Sequence, residues 1–136
     1  MARIVLTNAL VTVNAVDLSD YVASVTLNSS IDVIETTAFS STAARTRIGG
    51  LADNSISLEF HQDYASGEVE ATIYPLLGTV TTVTVKPVNA ATSATNPLYT
   101  ASALVSEWTP LNGAVGELAT AQVSWPVSGA IVKTTA

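Results

Sequence analysis

Few side chains in this chain could do acid–base or ligand chemistry, and their spacing argues against catalysis. His61 is the single histidine, so any histidine-dependent triad would have to use it. It falls on the polar side of the alternating run "SISLEFHQ", and no G-x-S-x-G nucleophile elbow accompanies it. The carboxylate pairs Asp17/Asp20 and Asp32/Glu35 could suggest calcium, but neither shows the oxygen-ligand spacing of an EF-hand loop. Within "VDLSDY", Asp17 and Asp20 are better placed to cap a tight turn through their own side chains. Cysteine is absent, which excludes disulfides and thiolate metal sites. Gly49-Gly50 lacks the lysine and spacing of a phosphate-binding loop. The expectation is therefore no catalytic residue, no cofactor and no metal. Trp125 alternates in phase with Val123 and Val127 and belongs to a core face. Trp108, beside Pro110, fits either a core or an aromatic platform for a sugar.

The two remaining chemical groups of note are Arg45 and Arg47, in "ETTAFSSTAARTRIGGLADNSISLEF". From Thr36 to Thr46 this stretch is Thr, Ser and Ala around Phe39, and Arg45 and Arg47 are the only charges before Gly49-Gly50. The whole chain carries only five basic residues against eleven acidic ones, a formal charge of −6. Affinity for nucleic acid comes largely from Lys and Arg displacing counterions from phosphates, so tight DNA binding is not expected. Charged residues are 12% of the chain, about half of the roughly 25% usual for soluble domains. A surface of Ser, Thr, Ala and Asn fits either a hydroxyl-rich extracellular β-domain or a surface largely covered by other copies. No apolar run approaches the roughly 18 residues of a membrane span. The N-terminal "MARIVLTNALVTVNAVD" is broken by Thr7, Asn8, Thr12 and Asn14, and reads as a strand and turn rather than a signal peptide.

Period-two alternation dominates and predicts strands. Ala23, Val25 and Leu27 alternate with Ser24, Thr26 and Asn28. Ile56, Leu58 and Phe60 alternate with Ser57, Glu59 and His61. Val83 and Val85 alternate with Thr82, Thr84 and Lys86, and Ala121, Val123, Trp125 and Val127 with Thr120, Gln122, Ser124 and Ser128. One helix is expected at about 66–77, where Val69, Ile73, Leu76 and Leu77 share a face. Ser66 is its candidate N-cap, Gly78 its candidate C-terminal stop, and Pro75 should kink or shorten its last turn. A long loop is expected at about 36–50. The chain reads as one domain over 1–136, all-β with one flanking helix, a two-sheet β-sandwich or barrel.

The order of these elements carries a resemblance. "VDLSDYVASVTLN", the loop-bearing "TTAFSSTAARTRIGGLADNSISLEFHQDY", the helix "EVEATIYPLLG", then "VTVKP", "NPLYTASALVSEWTPLNGAVGELA" and "QVSWPVSG" together resemble the major tail tube proteins of long-tailed, siphovirus-like bacteriophages. The likeness runs over nearly the whole chain. One departure is Ala15 in "NAVDLS", where a glycine would be expected. The resemblance implies a homo-oligomer of hexameric rings stacked into a tube of the virion tail, assembled in the host cytoplasm. Tape measure, terminator and baseplate proteins would be its partners, and DNA would pass through without tight binding. Six subunits supplying about four strands each would give roughly 24 strands. At about 4.8 Å spacing and 40–45° tilt their barrel is about 50 Å across, and its bore of about 40 Å admits B-DNA of about 20 Å.

On that reading the loop residues Phe39, Arg45, Arg47 and Ile48 pack against another subunit, with an arginine paired to a neighbour's carboxylate. Ser24, Thr26, Asn28, Thr82 and Thr84 become candidates for a hydrated lumen wall, with Asp32 and Glu35 as candidate negative groups. Two other classes compete. A carbohydrate-binding or adhesin module would be a monomer with exposed aromatic residues, and a capsid-decoration or pilus subunit would assemble without forming a conduit.

Overall fold

The computed structural model describes residues 3–135. Its strands are β1 (Leu10–Val13), β2 (Val16–Asp17), β3 (Val22–Glu35), β4 (Arg47–His61), β5 (Val80–Lys86), β6 (Leu98–Leu104), β7 (Thr120–Val127) and β8 (Val132–Thr134), with one short helix, α1 (Val69–Ile73), between β4 and β5. All pairings are antiparallel, in the order β2-β1-β5-β6-β7-β4-β3, with β8 against β6. The hydrogen-bonded path is continuous, but β6 meets β7 at the single pair Ala103↔Val127. That narrow junction lets the sheet fold on itself, so that β1-β5-β6 and β7-β4-β3 bury their inner faces together. Val11, Val13, Val83 and Val85 from one half meet Ile56, Leu58, Phe60, Val123 and Trp125 from the other in one core. Burial is nearly complete at most of these positions; fully burying a Val, Leu, Ile or Phe side chain is worth about 1.5–3 kcal/mol.

The alternation read from sequence is the burial pattern observed in β4, β5 and β7. In β3 it is interrupted. A register shift between Val22 and Ser24 leaves Ala23 as the extra residue of a bulge, exposed, while Val22 joins Val25 and Leu27 against the core. Such a bulge adds one residue to one strand and increases local twist.

Two local surprises have clear causes. The expected helix over 66–77 is reduced to Val69–Ile73, continuing as a 3-10 turn over Tyr74–Leu76. Pro75 falls at the start of that turn, where its missing N–H is not needed, whereas it could not have continued an α-helix. The N-cap position is Glu68, without a side-chain capping bond, so Ser66 does not fill that role. Gly78 does adopt a positive φ, +86°, and its N–H reaches Val105 O at 2.7 Å. At the β1–β2 hairpin, Asn14 and Ala15 both have positive φ, 51° and 66°. This is the two-residue turn whose backbone favours Asn-Gly, and Ala15 holds the glycine position at a steric cost.

The N-terminal residues pair later than expected: the first strand begins at Leu10, and Met1 and Ala2 lie outside the described residues. No helix among the described residues is long and apolar enough to cross a membrane.

Candidate functional site

The candidate surface is built from the longest hairpin. β4 pairs with β7 only from Asn54 to His61, whereas β3 and β4 stay paired from Val22 out to the Glu35↔Arg47 pair. Residues 30–53 therefore project beyond the body as a two-stranded arm, roughly 20 Å of ladder at about 3.3 Å per residue before the tip. The expected loop of 36–50 is correspondingly shorter, because Arg47, Ile48, Gly49 and Gly50 belong to β4. The glycines allow the strands to cross closely at a second register shift, between Ile31 and Val33. A Cβ on Gly50 would stand 2.8 Å from Ile34 Cδ1, and one on Gly49 3.2 Å from Ile31 Cγ2.

Hydroxyl groups organise the tip. Thr36 N donates to Thr46 O at 2.8 Å, their hydroxyls share a bond of 2.8 Å, and Thr46 N donates to Thr37 Oγ1 at 3.1 Å. Thr42 N donates to Ser40 Oγ at 3.1 Å. The Thr and Ser residues thus act as local backbone partners, and the segment needs no neighbouring chain to satisfy them. Arg45 Nη1 reaches Glu35 Oε1 at 3.1 Å, with the two side chains 68% and 50% exposed. This is the sole salt bridge among the described residues, and Arg47 has none there. Arg45 accordingly finds its carboxylate within its own hairpin. The arm's apolar residues do not: Ile31, Val33, Ile34, Phe39, Ile48 and Leu51 are all exposed. Val33 and Ile34 are consecutive in β3 and look to opposite faces, so the arm exposes apolar side chains on both sides, and exposed apolar surface of this extent is characteristic of interaction sites.

The candidate wall residues separate into two groups. Ser24, Thr26 and Asn28 of β3 pair with Glu59, Ser57 and Ser55 of β4, which in turn face Gln122, Ser124 and Pro126 of β7. Together they form the outward face of one sheet half, polar and without a basic residue. Thr82 and Thr84 lie on β5, opposite Ser102 and Thr100, and Thr84 also hydrogen-bonds Thr12 across β1. They share the outward face of the other half with Lys86. The two groups are therefore on opposite sides of the folded sheet, and one wall cannot contain both. Asp32 and Glu35 sit on the projecting arm, apart from either group.

At the far end of β4, a polar cluster fixes the chain that enters β7. Trp108 Nε1 donates to Glu70 Oε2 at 2.8 Å, and Gln62 Nε2 donates to the same oxygen at 3.1 Å and to Pro110 O at 2.9 Å. The Tyr64 hydroxyl also donates to Pro110 O, and Gln62 N donates to Ala119 O. Trp108 is a core residue, edge-on to Phe60 with ring centroids 5.8 Å apart, which removes it as a sugar platform. Trp125 is fully buried and donates to Glu107 O. The nearby carboxylates of Glu68 and Asp63 push the Tyr21 phenol's pKa well above its ordinary value. Asp17 caps its turn as expected, accepting from Ser19 N at 3.0 Å, whereas no such bond involves Asp20. His61 ends β4 opposite Thr120, half-buried. Among the described residues no three His, Asp or Glu side chains gather as metal ligands.

The sequence matches no protein-family model and no curated protein. Its fold, however, matches solved structures end to end. A chain from the virion of a native gene transfer agent particle superposes with TM-score 0.74 at 13% identity, over 94% of this chain and 96% of that one. A chain from the tail of an empty gene transfer agent particle, with C6 symmetry, gives TM-score 0.66 at 16% identity over 85% and 83%. A chain from an extracellular contractile injection system, the PVC sheath-tube complex in its extended state, gives 0.68 at 14% over 98% and 93%. The antiparallel sheet with one short helix is thus a tail-tube-like fold, found in a sheathed system as well as in gene transfer agent particles.

Proposed function

We propose that this protein is a non-enzymatic structural subunit of a phage-tail-type tube in the virion tail, assembling as hexameric rings that stack around a DNA-conducting bore. The observation that carries this is the likeness, over 85–98% of this chain, to chains of a virion, a tail with C6 symmetry and a sheath-tube complex. The surface agrees with it. β3 is a 14-residue edge strand with no strand partner on its outer side among the described residues, a template for pairing with a neighbouring chain that a lone sandwich would have to protect.

Of the two outward faces, the one made by β3, β4 and β7 is the wall of the bore in this reading. It carries Ser24, Thr26 and Asn28, includes the free edge needed to continue a sheet around a ring, and lacks lysine and arginine. The face with Thr82 and Thr84 carries Lys86 and belongs to the outside of the tube. A neutral-to-acidic wall lets phosphates pass without capture, since each bound Lys or Arg would release counterions and hold the DNA. The projecting arm bridges one ring to the next, burying Phe39 and Ile48 and placing Arg47 near a neighbour's carboxylate.

Electron microscopy and light scattering of concentrated protein test the reading together. Rings or tubes with six-fold symmetry are expected, with duplex DNA binding weaker than about 10⁻⁴ M at physiological salt. A monomer of 14.0 kDa at every concentration, or micromolar DNA affinity with a steep salt slope, would overturn it.

A further inference from the structure

The arm and the 110–118 loop occupy opposite ends of the same strand. β4 runs from Arg47 at the tip to His61, about 46 Å away at about 3.3 Å per residue. The 110–118 loop is tied to that distant end by the bonds from Gln62 to Pro110 O and Ala119 O, and by Thr120 N to Asn112 O. The loop has an unusual surface. Leu111, Val115 and Leu118 are exposed together, Val115 as completely as Phe39 on the arm (106% and 109%). Glu117 beside them is exposed and makes no ion pair among the described residues, as Arg47 makes none at the tip.

We infer that the 110–118 loop is the receptor for the arm of a second copy of this chain, with Phe39 and Ile48 packing on Leu111, Val115 and Leu118, and Arg47 facing Glu117. This rests on the tube reading and names the contact within it. The complementarity is local: with Arg45 paired to Glu35, Arg47 is the remaining charge of residues 36–50, and Glu117 is the one charge of residues 110–118, each set among exposed apolar residues. A contact between different patches is heterologous, and with the two patches at opposite ends of one strand it propagates along that axis as an open filament rather than closing into a ring. With strands tilted 40–45°, the separation of the two patches projects to roughly 35 Å along the tube axis. The anchoring of the loop by Trp108, Gln62, Tyr64 and Glu70 explains why so apolar a segment is held in position at the surface.

The absence of cysteine provides a clean experiment. A chain carrying Ser41→Cys and Ala114→Cys, exposed positions beside Phe39 and Val115 that leave those contact residues in place, is assembled under reducing conditions, freed of reductant and treated with a short bismaleimide. A ladder of covalent species extending well beyond dimers is expected, while either single-cysteine chain stays monomeric on a denaturing gel. Tubes that form without a ladder, or dimers from the Ser41→Cys chain alone, would overturn the proposed receptor and leave the tube reading standing. If even the wild-type chain forms no tubes, the tube reading fails and the receptor with it.

Discussion

Replacing both Arg45 and Arg47 with glutamate separates the subunit's fold from its assembly. The fold should lose little. The Arg45–Glu35 pair is more than half exposed on the Arg side and half exposed on the Glu side, and exposed pairs of this kind contribute about 0–1 kcal/mol. Arg47 has no ion pair to lose among the described residues. The arm between Asp32 and Asp53 carries a net charge of −1, which the double substitution takes to −5, and the whole chain goes from −6 to −10. At a ring junction of the proposed six-fold tube that change would repeat at every subunit, where Arg47 would otherwise meet a carboxylate. Removing one partner of a buried pair costs about 3–5 kcal/mol, and even about 1 kcal/mol per subunit accumulates around a ring. Circular dichroism should therefore show the wild-type β-sheet signal with Tm lowered by no more than about 5 °C, while sedimentation and electron microscopy show no tubes. Normal tube growth by the double variant at physiological salt would refute the role given to the arm.

Two further substitutions address the fold that presents these surfaces. Ala15→Gly should stabilise the protein by roughly 0.5–1 kcal/mol and raise Tm by about 2–4 °C, because relief of left-handed strain outweighs the greater freedom of glycine when unfolded; a lower Tm would show that the β1–β2 turn is unstrained. Glu70→Ala should destabilise by about 1–3 kcal/mol in denaturant unfolding followed by tryptophan fluorescence, since it leaves the buried Trp108 N–H without its acceptor. It should also speed amide exchange in the 110–118 loop, and a loss under about 0.5 kcal/mol would mean that this carboxylate does not anchor it.

Much of this molecule was legible from the order of its residues, because burial in a sheet with one wet face imposes strict alternation. Ile56, Leu58 and Phe60, or Val123 and Trp125, declare their inner face by period alone, and "NAVD" declares its turn through the strain that Ala15 accepts. Pro75 likewise announces a shortened helix. What period two cannot express is where strands go beyond the body they share. The Thr-rich segment after Glu35 reads as one long loop, yet Arg47–Gly50 pair as strand because Gly49 and Gly50 let the opposing isoleucines approach. Arg45 finds Glu35 across a hairpin ten residues wide, a meeting that depends on register. Ser24 and Thr82 are equivalent as sequence patterns and land on opposite outward faces, because the sheet folds at the single Ala103↔Val127 junction. The distance between the arm and the 110–118 loop has the same origin. Local composition sets which faces are apolar, but only the long-range pairing of strands decides which way each face looks.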